Sequence, residues 1–310
     1  MNSTADICWS VCPDARLLSK SNITAMAVCI LTLIPITTVS NVTVLVALVR
    51  TKSIGRESQL FPVALCVTDI LIGTLLQPLS AAYLLSGTLQ DACATRWAIQ
   101  ALSYSLLCLD FFIISSMGLE RLLALKFSLS DIFLRWLAVK KYVLAVDVTF
   151  AVAMAAASVL IAQQHNNNYH VFNLSLQAIG LVLAIVTTVA YKLACNHVRK
   201  AVMLLSNAAH SSIHVPSRKL RHDIALARSV AVILCLGLAL YLPYGVSGIL
   251  WTLSYSGLAL TNSTEVIQSI FLWCILLVYL NSSLNVFVYS YHNRPVRKYI
   301  SEKLSFIFRS

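Results

Sequence analysis

The chain has 310 residues, of which 58% are hydrophobic and only 11% charged, and its mean hydropathy is +0.79. An ordinary soluble domain carries about 25% charged residues, so this composition excludes disorder, collagen, coiled coil and nearly every soluble fold, and indicates a chain whose solvent is largely lipid. The excess of 23 Lys and Arg over 12 Asp and Glu fits basic cytoplasmic loops better than nucleic-acid binding.

Charge spacing divides the chain. Lys20 and Arg50 enclose 29 uncharged residues, residues 58–90 contain only Asp69, and residues 97–119 contain only Asp110. Lys141 and Lys192 enclose 50 residues with Asp147 as their one charge. That is too long for a single crossing of about 30 Å of hydrocarbon. The polar run from Gln163 to His170 splits it in two. Two further uncharged stretches lie between Arg228 and Glu265 and between Glu265 and Arg294. The predicted spans are about 24–49, 60–85, 95–125, 140–162, 172–197, 225–253 and 266–290. They are continuously apolar rather than alternating, which predicts helices and not a barrel. Residues 294–308 mix basic and apolar positions as an amphipathic helix on the inner leaflet does. The predicted fold is an all-α membrane protein: a seven-transmembrane helix bundle over 24–290, preceded by an extracellular tail, 1–23, and followed by a cytoplasmic amphipathic helix and tail, 291–310.

With the N-terminus outside, 20 of the 23 Lys and Arg fall on cytoplasmic segments, and only Arg16, Lys20 and Arg96 fall outside. This is the positive-inside pattern. It predicts a multi-pass protein of the plasma membrane with a cytoplasmic C-terminus. The glycosylation sequons at Asn2, Asn22, Asn173 and Asn262 all land on or near the outer side, whereas those at Asn41 and Asn281 fall inside spans. Of nine cysteines, Cys8, Cys12 and Cys93 face the oxidising side and are the disulfide candidates. The rest lie in or near spans, as small apolar fillers.

Ionisable groups inside a span are costly and need a reason. Asp69 and Asp110 fall near mid-span, at the depth of Asn41 on the first span and Asn281, Ser282 and Asn285 on the seventh. Two acids and three amides at one level predict a hydrated cation or proton pocket; interhelical hydrogen bonding is the plainer alternative. Asp147 is given no role beyond snorkelling toward Lys140 or Lys141. At the inner face Glu120-Arg121 closes the third span and Asp223 opens the sixth. An Arg121–Asp223 pair would clamp the two helices, and separating them would open a crevice. Pro243 sits mid-span in the sixth helix, where it makes a kink or hinge.

Together these residues resemble the rhodopsin-like (class A) G-protein-coupled receptors over about 24–305. The matches are Asn41 on the first helix, Ala64-Leu65-Cys66-Val67-Thr68-Asp69 on the second, Glu120-Arg121-Leu122 on the third, Leu240-Tyr241-Leu242-Pro243 on the sixth, and Asn281-Ser282-Ser283-Leu284-Asn285-Val286-Phe287-Val288-Tyr289 on the seventh. Departures are Val286 for the family's proline, Tyr241 for its tryptophan and Leu122 for its tyrosine. The outer loop at 163–172 lacks the cysteine that the family ties to the third helix, which leaves Cys8 or Cys12 as the expected partner of Cys93. A short cysteine-free loop and a proline-free fifth helix are similar to the melanocortin, cannabinoid, lysophospholipid and adenosine group.

The resemblance implies a receptor, not an enzyme, that binds an extracellular ligand and activates a heterotrimeric G protein by outward movement of the sixth helix. It assigns the activation switch to Glu120, Arg121, Asp223, Tyr241, Pro243 and Tyr289. The implied ligand pocket is Ser103, Tyr104, Leu107, Tyr244, Ser247 and Tyr279. It holds hydroxyls and apolar surface without charge, which suits a small neutral or lipophilic ligand. No structural metal and no cofactor are expected; Na⁺ in the transmembrane pocket is the one candidate ion. Expected partners are the G protein and membrane lipid, and not nucleic acid. The competing reading is an ion or proton transporter or channel using Asp69 and Asp110.

Overall fold

The computed structural model describes residues 18–51, 60–127, 131–163, 218–255, 264–292 and 294–307, with separate positions between 174 and 196. Among the described residues there is no strand. The helices are α1 (Lys20–Thr51), α2 (Leu60–Leu85), α3 (Cys93–Phe127), α4 (Asp131–Gln163), α5 (helical at each described position between 174 and 196), α6 (Arg218–Tyr255), α7 (Thr264–His292) and α8 (Arg294–Ile307). A five-residue helical turn, Gly87–Asp91, joins α2 to α3.

Local chemistry sets several boundaries. Ser19 caps α1, its hydroxyl accepting from the Asn22 amide at 3.3 Å. Ser86 does the same for the connecting turn, accepting from Leu89. α2 is interrupted by a π-helical stretch, Ile72–Leu76, in which the Gln77 amide reaches back to the Ile72 carbonyl. Pro78 follows directly and has no N–H to continue the ordinary ladder. The same stretch brings Gly73 against α1. A Cβ there would stand 2.7 Å from Thr38 Oγ1 and 3.3 Å from Thr37 Cβ, so only glycine allows so close an approach.

The burial pattern is that of a protein dissolved in lipid. Val39 and Val146 are 63% and 65% exposed, while Asn41, Asp69, Asp110, Asn281, Ser282 and Asn285 are each at most 2% exposed. In water this arrangement would be upside down; in hydrocarbon the polar groups must face one another. Five described helices are long and apolar enough to cross a membrane. α8 lies against the inner end of the bundle. Val296 is fully buried against Val44, Ala47 and Leu48 of α1, and Arg297 and Lys298 stay exposed, as an interfacial amphipathic helix requires.

Candidate functional site

The polar residues at mid-depth meet in one place. Asn285 Nδ2 of α7 donates to Asp69 Oδ2 of α2 at 3.4 Å. Asn281 Nδ2, one helical turn earlier, donates to Asp110 Oδ2 of α3 at 3.4 Å. Tyr241 of α6 donates its hydroxyl to the same Asp110 oxygen at 3.1 Å. Asn41 Nδ2 of α1 donates to the Ser282 carbonyl at 3.1 Å and to its own helix at Thr37, 2.9 Å. Five helices therefore contribute to one pocket. Asp69 and Asp110 are close enough to feel each other's charge.

Several polar atoms of the pocket, the Ser282 hydroxyl among them, are buried without a partner. One oxygen of each carboxylate and the amide oxygens of Asn41, Asn281 and Asn285 are buried without a hydrogen-bond partner. Buried acceptors left in this state are costly.

A second network leads outward from this pocket. Thr37 and Ser283 hydroxyls are 2.6 Å apart, and Gln77 Nε2 donates to Thr37 Oγ1 at 3.3 Å. One turn further out, Ser80 and Tyr279 hydroxyls pair at 2.7 Å. Tyr279 then lines a cavity of about 90 Å³, together with Ser103, Tyr104, Leu107 and Tyr244. Five of the six residues expected to contact a ligand thus surround one cavity. The sixth, Ser247, is buried and turns its hydroxyl onto its own backbone, at Pro243 O (2.7 Å) and Tyr244 O (3.1 Å). The cavity also reaches Met26 and Ile30 of α1 and Tyr83 of α2, which the sequence did not indicate. Tyr244 and Trp251 of α6 both stack on Phe271 of α7, with centroids 5.2 and 5.4 Å apart, and fix the outer half of α6 to α7.

At the inner end, Glu120 is paired with a residue the sequence reading left aside. Lys140 Nζ of α4 lies 3.2 Å from Glu120 Oε1, and the two side chains are 3% and 2% exposed. One turn outward on α3, Ser116 donates to Asp147 Oδ2 of α4 at 3.1 Å. Lys140 and Asp147 therefore share a seam with α3. Asp147 was expected to snorkel toward Lys140 or Lys141; its described partner is Ser116, because seven residues place it two turns from Lys140. The spacing of Lys140 and Asp147 on one helix face was the available signal. Arg96 was counted as an outer-loop charge, yet it is buried at the start of α3, its Nε donating to the Gln90 carbonyl at 2.7 Å.

The side chains of Arg121, Asp223, Tyr289 and Cys93, and residues Cys8, Cys12, Asn2, Asn173 and Asn262, lie outside the described ones. Asn22 is exposed in the first turn of α1. Among the described residues no cluster of three or more His, Cys, Asp or Glu could hold a metal.

No curated protein matches the chain. A family model does: that of the seven-transmembrane receptors of the rhodopsin family aligns with residues 40–289. The matched stretch carries the whole mid-depth pocket from Asn41 to Asn285, the proline of α6 and the cavity residues on α2, α3, α6 and α7. It places Asp69 and Asp110 in a receptor rather than in a transporter. The chain belongs to the rhodopsin family of seven-transmembrane receptors.

Proposed function

We propose that this receptor is switched by a small neutral or lipophilic ligand from the extracellular side and activates a heterotrimeric G protein through outward movement of the inner half of α6. The observation that carries the reading is the position of Tyr241. Its hydroxyl ties α6 to Asp110 of α3 two residues before Pro243. Pro243 interrupts the hydrogen-bond ladder of α6, and the aromatic stack on Phe271 holds the helix above it. Motion is therefore concentrated below the proline. Ligand in the cavity touches Tyr244 and Tyr279, and preferential binding to one arrangement of α6 and α7 shifts the population toward it. Separation of α6 from α3 at the inner face, where Arg121 and Asp223 lie, then opens the crevice for the G protein.

The mid-depth pocket holds a cation in the resting state. Asp69 and Asp110 supply charge, and Asn41, Asn281 and Asn285 supply amide oxygens. Sodium fits the donor set, because hard cations take oxygen ligands. A bound cation would cross-link α1, α2, α3 and α7 by neutralising their oxygens.

The test is guanine-nucleotide exchange on purified heterotrimers of each Gα class by the receptor in nanodiscs. Ligand-free exchange above that of empty nanodiscs, altered at least threefold by Asp69→Asn at matched receptor content, is expected. Exchange at the empty-disc level with every class would remove the coupling reading.

A further inference from the structure

Asp69 and Asp110, if both ionised, would carry twice the charge that one sodium ion neutralises. Asp69 and Asp110 are both fully buried, and among the described residues neither is paired with a Lys, Arg or His. Each carboxylate has one oxygen engaged, at 3.4 Å to Asn285 for Asp69, and at 3.4 Å to Asn281 and 3.1 Å to Tyr241 for Asp110. Each has its other oxygen unpartnered. The amide oxygens of Asn41, Asn281 and Asn285 are also unpartnered; Asn281 and Asn285 bond the two carboxylates through their Nδ2 atoms, and Asn41 bonds the Ser282 carbonyl. The five unpartnered oxygens come from α1, α2, α3 and α7. Gly237 of α6 closes the same pocket without a side chain, since a Cβ there would stand 3.7 Å from Asn281 Oδ1.

We infer that Asp110 converts this pocket into a divalent-cation site, with calcium as its ligand. The inference rests on the cation-pocket reading given above and sharpens it. A monovalent ion between two carboxylates leaves one negative charge in hydrocarbon, where an uncompensated charge is severely penalised. A divalent ion leaves none, and its attraction to each carboxylate is doubled at equal distance. The ligand chemistry points the same way. Calcium takes six to eight hard oxygen ligands in irregular geometry, carboxylate and amide oxygens among them, while magnesium demands a near-ideal octahedron and gives up its water reluctantly. Five protein oxygens on four separate helices suit the first description. Two or three waters complete the shell. The cavity lined by Ser103, Leu107 and Tyr279 lies on the N-terminal side of Asp110 on α3, with Leu107 one turn from Asp110.

The test reads stability and binding without ligand or G protein. The full-length receptor in nanodiscs is melted in calcium, magnesium or sodium chloride at equal ionic strength, at fixed pH, and its binding of radioactive calcium is counted. Calcium at saturating concentration should raise the melting temperature by about 5 °C, with one ion bound per receptor, and equal ionic strength of sodium should raise it far less. Asp110→Ser should lose calcium binding at least tenfold and keep or gain the sodium response. Asp69→Asn should lose both. Equal stabilisation by sodium and calcium in the wild type would overturn the divalent assignment and leave a cation pocket. No response to any cation, with stability following pH alone, would overturn the cation pocket itself and leave two carboxylates neutralised by protons. If Asp110→Ser does not fold, Asp110→Asn and the wild-type binding stoichiometry decide the same question.

Discussion

Tyr241 donates its hydroxyl to Asp110 Oδ2 across 3.1 Å, which joins α6 to α3 just before the proline that allows α6 to bend. A hydrogen bond to a charged group is worth about 1.5–3 kcal/mol when buried, and a two-state equilibrium moves tenfold for about 1.4 kcal/mol. Tyr241→Phe removes the hydroxyl and keeps the ring. Ligand-free nucleotide exchange should rise about tenfold at matched receptor content. Asp110→Asn retains an acceptor and should raise it less. A Tyr241→Phe receptor with unchanged or lower exchange would show that the bond does not restrain α6.

The Glu120–Lys140 pair has both members almost fully withdrawn from solvent. Removing Lys140 deprives the buried Glu120 carboxylate of a charge-assisted contact, at a cost of about 1.5–3 kcal/mol. Lys140→Gln should therefore lower the melting temperature by roughly 5–10 °C and reduce surface expression. Lys140→Arg should keep most of both, because it restores the charge. Thermal unfolding in nanodiscs compares the three, and equal melting of Lys140→Gln and wild type would mean that the pair is neutral overall.

Gly73 lies where the π-helical stretch of α2 touches α1. A methyl there meets Thr38 Oγ1 at 2.7 Å. Overpacking of this kind costs about 1–3 kcal/mol. Gly73→Ala should lower the melting temperature by a few degrees, and Thr38→Ala in the same chain should restore about half of the loss. Absence of that rescue would locate the strain elsewhere.

Arg121 lies in the last two turns of α3 and Asp223 in the second turn of α6. If the two pair as proposed, Asp223→Ala should raise ligand-free exchange several-fold, because a bond of about 1 kcal/mol is enough to shift a two-state balance. Arg121→Ala should lower coupling. Reduced exchange in Asp223→Ala at equal surface expression would assign the acid to coupling rather than restraint.

The 20-to-3 division of Lys and Arg predicts that the N-terminus lies outside. Asn2→Gln and Asn22→Gln should each remove one glycan, seen as a faster band on electrophoresis that enzymatic deglycosylation erases. Non-reducing peptide mapping should find Cys93 joined to Cys8 or Cys12; a Cys8–Cys12 bond would refute the tether. A C-terminal tag reached by antibody on intact cells would contradict the orientation.

The spans were legible in the sequence because hydrocarbon tolerates few charges. Charge spacing put the first span at 24–49 and the helix runs 20–51; the sixth was expected at 225–253 and the helix runs 218–255. Ends differ because helices continue past the hydrocarbon into the headgroups, where charge is no obstacle. The depth of Asn41, Asp69, Asp110, Asn281 and Asn285 was legible too, since a helix converts residue number into height at about 1.5 Å per residue.

Only the tertiary structure decided which groups pair. Height along a helix is fixed by sequence, but azimuth between helices depends on packing. Lys140 read as a cytoplasmic charge and is buried on Glu120; Asp147 turned to Ser116. Ser247 was expected in the ligand cavity, yet its hydroxyl bonds back onto its own helix at the Pro243 carbonyl, as a helical serine can. The close approach of Gly73 to α1 likewise joins residues 35 apart in the chain, Thr38 and Gly73. Local propensity specifies a helix there, and only the packing of the two helices shows how closely they approach.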